Sequence, residues 1–207
     1  MIPYHPSLCT VMQVMGLLLE PGTEGFGHSG TTLAFHGTRS ARDLRTDLRV
    51  DMQKAAPPSL GKVHAGFRER HLQLLGEASS AVPAPDVIAG YSLGGAIAVL
   101  HALSCAEAGH APGYVICIAP PRVGDERFAE YYNQRLGSRT IRIENTRDPV
   151  VSLPPGKAYA PVGRKVQVDF ADGFFNHDLR AYHDRILDLY GPSYGVDVET
   201  LLSSLSQ

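Results

Sequence analysis

The run Pro85-Asp86-Val87-Ile88-Ala89 enters Gly90-Tyr91-Ser92-Leu93-Gly94-Gly95, and the small-residue stretch Ala96-Ile97-Ala98-Val99-Leu100 leaves it. An apolar strand, a glycine-flanked serine and a helix-forming run in immediate succession constrain this chain more than any other segment. They are the strand, sharp turn and helix of a G-x-S-x-G elbow. Glycines on both sides let the backbone fold tightly enough to hold Ser92 in a strained conformation, its hydroxyl at the positive end of the following helix. Ser92 is the candidate nucleophile.

The elements around the elbow alternate between strand and helix patterns. Leu8, Val11, Met12, Met15, Leu18 and Leu19 recur at helical spacing, and a glycine-rich turn is expected over 22–30. Residues 31–35 read as a strand, 41–54 as a charged helical surface segment ended by Pro57-Pro58, and 67–81 as a helix. Strands at 86–90, 114–118, 140–144 and 165–170 alternate with helices at 93–108, 125–136 and 178–190. Parallel neighbours need such crossovers, so the expected fold is α/β, a mostly parallel sheet with helices on both faces. With 207 residues, 43% of them hydrophobic, the chain reads as one domain over 1–207.

Charge and cysteine content exclude several partners. The 19 basic and 21 acidic residues are interspersed, and no run of like charge is long enough to grip a nucleic acid backbone. Cys9, Cys105 and Cys117 are too few and too scattered for a disulfide framework or a metal cage. The nine histidines form no H-E-x-x-H pattern, so neither metal nor cofactor is expected, and His177-Asp178 and His183-Asp184 are short of a metal site. The apolar segment 11–19 falls short of the ~20 residues that span a bilayer. The amino terminus lacks a basic stretch followed by an apolar core, which predicts a cytoplasmic location.

A serine hydroxyl is a weak nucleophile at neutral pH, so Ser92 calls for an imidazole and a carboxylate that orients it. Asp148 lies on the loop leaving the strand Ile141-Arg142-Ile143, before Pro149, which restricts the backbone there. Asp172 is a distant second candidate. His177 follows the strand 165–170 and precedes the last helix, where the imidazole should sit; His183, six residues on and inside that helix, is the competitor. The oxyanion that develops as the serine attacks needs two donors. The Leu93 amide is one, and Phe35-His36-Gly37-Thr38 after an earlier strand supplies the other at Thr38. An imidazole with the ordinary pKa of ~6.5 predicts activity that falls below about pH 6.

Five spaced motifs together resemble the class 3, fungal-type lipases of the α/β-hydrolase superfamily: Phe35-His36-Gly37-Thr38, Val63-His64-Ala65-Gly66-Phe67, the elbow, Pro121-Arg122-Val123-Gly124-Asp125, and Asn145-Thr146-Arg147-Asp148-Pro149-Val150 with Leu153-Pro154-Pro155. The resemblance covers about residues 31–190. It implies an α/β-hydrolase fold and an ester hydrolase with Ser92, Asp148 and His177 as triad and Thr38 and Leu93 as oxyanion hole. It further implies that Asp47 supports the Thr38 side chain, that His64 is a supporting residue, and that the segment 39–46 matches the family's lid, with transient contact to a lipid surface expected through 39–49. Two positions depart from the family pattern. Tyr91 and His36 stand where histidine and arginine are usual, and the lid is charged where lipase lids are apolar.

The expected activity is cleavage of carboxylic esters of lipids or small acyl esters through an acyl-enzyme on Ser92. A thioesterase or acyltransferase with the same triad is the alternative within enzymes. A non-catalytic module that binds an acyl chain or a protein is the alternative outside them.

Overall fold

The computed structural model describes residues 6–20, 25–37, 52–54, 60–171 and 176–190. Its centre is a six-stranded sheet. In chain order the strands are β1 (Phe26–Ser29), β2 (Thr32–Phe35), β3 (Met52–Lys54), β4 (Lys62–His64), β5 (Val87–Tyr91), β6 (Tyr114–Ile118), β7 (Thr140–Glu144) and β8 (Arg164–Gln167). The helices are α1 (Leu8–Leu19), α2 (Ala65–Ala81), α3 (Leu93–Glu107), α4 (Glu126–Leu136) and α5 (Leu179–Tyr190). The sheet runs β1-β2-β5-β6-β7-β8, and β3 pairs with β4 separately. All neighbours in the large sheet are parallel except β1 and β2.

Both faces of the sheet are covered, which is why its central strands read as continuous apolar runs and not as alternating ones. In β6, Val115 and Cys117 join Ile88, Phe67, Phe128 and the α3 core on one face, while Ile116 and Ile118 join Ile141, Ile143 and the α1 and α5 stripes on the other. On the second face α1 contributes Leu8, Val11, Val14, Met15 and Leu18. The α5 stripe is Tyr182, Ile186 and Tyr190, one residue per helical turn. Truncating a core side chain such as Ile116, which has no exposed surface, to alanine costs roughly 2–5 kcal/mol.

Helix α3 is buried on all sides from Gly94 to Leu103. Its first turn lies so close to the sheet that a Cβ on Gly94 would meet the Phe35 carbonyl oxygen at 2.1 Å. A Cβ on Gly90 would meet the Gly94 carbonyl oxygen at 2.1 Å. Close approach of backbone to backbone therefore dictates glycine at both flanks of the elbow, and any side chain there would push the helix off the strand.

Three expectations need correction. The glycine-rich stretch contains an edge strand, β1, paired antiparallel with β2 across the Gly30 turn at φ 55°. Four residues with a glycine among them and one on either side gave too little periodicity to reveal it. Met52–Lys54, placed at the end of a helix, is instead a strand on β4 with Met52 opposite His64; residues 41–51 lie outside the described residues. Pairing at a distance overrode the local pattern. The last strand begins at Arg164 and ends at Gln167, although the Val168 amide continues the ladder with a 2.9 Å bond to the Glu144 carbonyl.

Candidate active site

Ser92 stands between the end of β5 and the start of α3 with φ 56° and ψ −124°, a region that non-glycine residues enter at a cost of about 1–3 kcal/mol. The surrounding backbone holds it there. The Ser92 amide donates to the Ile118 carbonyl at 2.9 Å, and the Ser92 carbonyl accepts from the Gly95 amide at 2.9 Å. Leu93 opens α3, so its amide is among those an α-helix leaves without an intrahelical acceptor. Gly37, after β2, is packed against the elbow: a Cβ there would lie 3.0 Å from the Tyr91 carbonyl oxygen and 3.1 Å from the Ser92 Cβ. Thr38, Asp47, Asp172 and the segment 39–49 lie outside the described residues.

The imidazole comes from the chain between β8, the last strand of the sheet, and α5. His177 Nε2 is 2.9 Å from Ser92 Oγ, and His177 Nδ1 is 2.6 Å from Asp148 Oδ2. An ionised carboxylate only accepts, so Nδ1 carries the hydrogen and Nε2 is left to accept the serine proton. Burial concentrates the effect: Ser92 is 2% exposed and Asp148 1%. Asn176, just before the imidazole, has φ 53°, and Asp178 just after it accepts from the Ala181 amide at 2.9 Å, capping α5. That left-handed turn and that cap direct residue 177 away from the helix and toward the sheet.

Asp148 is held at both oxygens. Oδ1 accepts from the Val150 amide at 2.9 Å, and Oδ2 accepts from the Tyr182 hydroxyl at 2.9 Å as well as from His177. Tyr182 is fully buried and its hydroxyl in turn accepts from the Asn145 amide at 2.9 Å. Burial, reinforced by the neighbouring Asp148 charge, pushes the Tyr182 phenol far above its usual pKa, so it stays a donor wherever the protein is folded. Asn145, also without exposed surface, steadies the loop by donating to the Phe170 carbonyl at 3.0 Å and accepting from the Arg147 amide at 3.1 Å. Thr146 binds Asp169 through both its amide (3.0 Å) and its hydroxyl (2.8 Å), tying the β7 loop to the chain beyond β8.

Sequence reasoning missed Tyr182 and Asn145. Tyr182 belongs to the buried stripe of α5, and nothing local reveals that its hydroxyl meets a carboxylate 34 residues away. His183 is not brought to the site: its Nδ1 lies 2.9 Å from the carboxylate of its own neighbour Asp184. His64 is buried at the end of β4, its ring stacked on Phe67 with centroids 4.2 Å apart. Tyr91 does meet the imidazole, with ring centroids 5.0 Å apart, planes within 21° and a 3.1 Å hydrogen bond from its hydroxyl to the His177 carbonyl. Among the described residues no group of three or more His, Cys, Asp or Glu could hold a metal ion.

The family model described as lipase, class 3, matches residues 32–158. The chain belongs to the class 3 lipases. A lipase of Rhizopus niveus is 34% identical over 135 residues, covering 59% of this chain and 34% of the relative. The phospholipase A1 EG1, chloroplastic/mitochondrial, of Oryza sativa subsp. indica is 34% identical over 205 residues, covering 76% of this chain and 46% of the relative. The class 3 chain thus spans less than half the length of these curated relatives. A solved triacylglycerol lipase, whose catalytic centre is formed by a serine protease triad, matches with a TM-score of 0.58 and 28% identity over 67% of this chain and 57% of that one. The α/β-hydrolase expectation holds. Among the described residues no helix is long and apolar enough to cross a membrane.

Proposed function

We propose that this class 3 lipase chain hydrolyses carboxylic esters of lipids or small acyl esters through an acyl-enzyme on Ser92. The observation that carries the reading is the continuous line from Asp148 Oδ2 to His177 Nδ1 at 2.6 Å and from His177 Nε2 to Ser92 Oγ at 2.9 Å. As Oγ bonds to the ester carbonyl carbon, its proton passes to Nε2 and the electron pair of the C=O bond moves to oxygen. The Leu93 amide stabilises that oxyanion together with Thr38, which Asp47 supports. Collapse of the tetrahedral species expels the alcohol, which takes the proton from Nε2 and leaves the acyl group on Ser92. Water then repeats the sequence and releases the acid. Asp148 holds the imidazole in the required tautomer and stabilises the imidazolium without itself taking the proton.

The charged segment 39–49 is assigned the role of contacting a lipid surface or covering the site, on the strength of its position between Thr38 and β3. The test is hydrolysis of a p-nitrophenyl ester series, from acetyl to palmitoyl, by the wild type, Ser92→Ala, His177→Ala and His183→Ala. Activity should vanish in the first two variants and stay within about twofold of wild type in the third. The preferred chain length separates esterase from lipase. Wild-type inactivity on every ester would sink the reading.

A further inference from the structure

Tyr91 takes no part in the proton path described above, yet it touches the base at two points. It ends β5 and is covalently next to Ser92, so its place is fixed by the same sheet that fixes the nucleophile. Its ring lies nearly parallel to the His177 imidazole, with centroids 5.0 Å apart, and its hydroxyl donates to the His177 carbonyl at 3.1 Å. This is also the elbow position at which the chain departs from the histidine usual in its family.

We propose that Tyr91 is a positioning residue that holds His177 against Ser92, and that its ring face favours the imidazolium formed when His177 has taken the serine proton. The inference rests on the assignment of Ser92 as nucleophile and His177 as base. His177 is presented from a loop whose preceding residue, Asn176, adopts φ 53°, and a side chain on such a loop keeps rotamer freedom unless something removes it. The hydroxyl bond ties the loop backbone to the end of β5. The stack closes one face of the imidazole.

The two contacts act at different moments. The hydroxyl bond is the same before and during the reaction, and it secures the approach geometry that a near-attack arrangement needs. The stack changes strength. A neutral imidazole gains mainly dispersion from the phenol ring, whereas an imidazolium within ~6 Å of the ring centroid is also drawn to the negative face of the π-system. An interaction stronger in the transition state than in the ground state raises kcat and leaves KM alone.

Three variants separate these effects: Tyr91→Phe keeps the ring and loses the hydroxyl, Tyr91→His restores the family residue, and Tyr91→Leu keeps bulk without a π-face. The readouts are the rate at which a fluorophosphonate labels Ser92, and kcat, KM and the pH profile on a p-nitrophenyl ester. Tyr91→Leu should lose about tenfold to a hundredfold in labelling rate and kcat with KM within about twofold, and its acid limb should move to lower pH. Tyr91→Phe should lose about threefold to tenfold with the acid limb unmoved, and Tyr91→His should recover most of what Tyr91→Leu loses. A Tyr91→Leu variant that labels as fast as wild type, or that slows with an unmoved acid limb and a raised KM, overturns the inference. If Tyr91→Leu does not fold, Tyr91→Phe decides: an unchanged labelling rate overturns the inference, and a threefold or greater fall with an unmoved limb supports it. Wild type that labels at Ser92 while every variant matches it refutes Tyr91 alone. Wild type that neither labels at Ser92 nor hydrolyses any ester refutes the nucleophile assignment itself.

Discussion

Two histidine environments contrast, one at the elbow before α3 and one between α2 and the middle of α3. His177 has a partner at each ring nitrogen, Ser92 at Nε2 and Asp148 at Nδ1. His71 on α2 and His101 on α3 are 5% and 1% exposed, and they meet edge to face with centroids 5.6 Å apart. Both nitrogens of His101 and Nε2 of His71 are buried without a hydrogen-bond partner among the described residues. Burial pushes His71 down to about 4, helped by His101 and by the Arg68 charge, and burial alone pushes His101 down to about 4. Burial by itself makes an imidazole a neutral packing group. A carboxylate and a hydroxyl in line are the partners a general base needs.

The largest expected effect comes from breaking the partnered site. Asp148→Asn leaves the shape but offers an amide where the imidazole N–H needs an acceptor, so kcat should fall on the order of 10³–10⁴-fold with KM little changed. Steady-state kinetics on the best ester of the series decides it, and a fall of less than about tenfold would refute Asp148 as the orienting carboxylate.

The unpartnered pair should show itself in stability. Because the folded-state pKa of each is lowered, the unfolded chain binds more protons than the folded one between about pH 4 and the ordinary imidazole value of 6.5. Stability therefore falls as pH drops through that window, by on the order of 3 kcal/mol per histidine at its lower end, and the two are neutral in both states above it. Urea unfolding at pH 7, 5.5 and 4.5 should give a shallower loss for His71→Leu/His101→Leu than for wild type. Equal slopes would mean that these rings are not the neutral packing groups described.

A smaller effect sharpens the comparison. Tyr182→Phe removes one of three hydrogen bonds to a carboxylate with no exposed side-chain surface, which should cost about 1–3 kcal/mol of stability. It should also lower kcat about tenfold, because Asp148 keeps the Val150 amide and His177. Thermal melting and kcat on the same preparation test both, and a variant that melts like wild type would show that the Tyr182 bond contributes nothing.

Much of this site was legible along the chain. The strand, elbow and helix over 86–108 are specified by neighbours within a few residues: apolar side chains for a strand covered on both sides, glycines where backbones touch, alanines where a helix lies against a sheet. Asp148 and His177 were legible through chain order and through their place after strands. The edge strand β1 and the strand Met52–Lys54 were not. Each is three or four residues long, and a strand so short is made by its partner, not by its own pattern.

Local chemistry alone determined that Ser92 would sit on a sharp turn at a helix start, since an apolar run, flanking glycines and a helix-forming run follow one another directly. Only the tertiary structure brings His177 within 2.9 Å of Ser92 and leaves His183 on its own neighbour Asp184, although the two lie six positions apart and carry the same ring. It also supplied the Tyr182 hydroxyl and the Tyr91 ring. Those contacts join positions 34 to 86 residues apart, and no periodicity reports them because they depend on how β5, the β7 loop and the start of α5 converge at the carboxyl ends of the parallel strands.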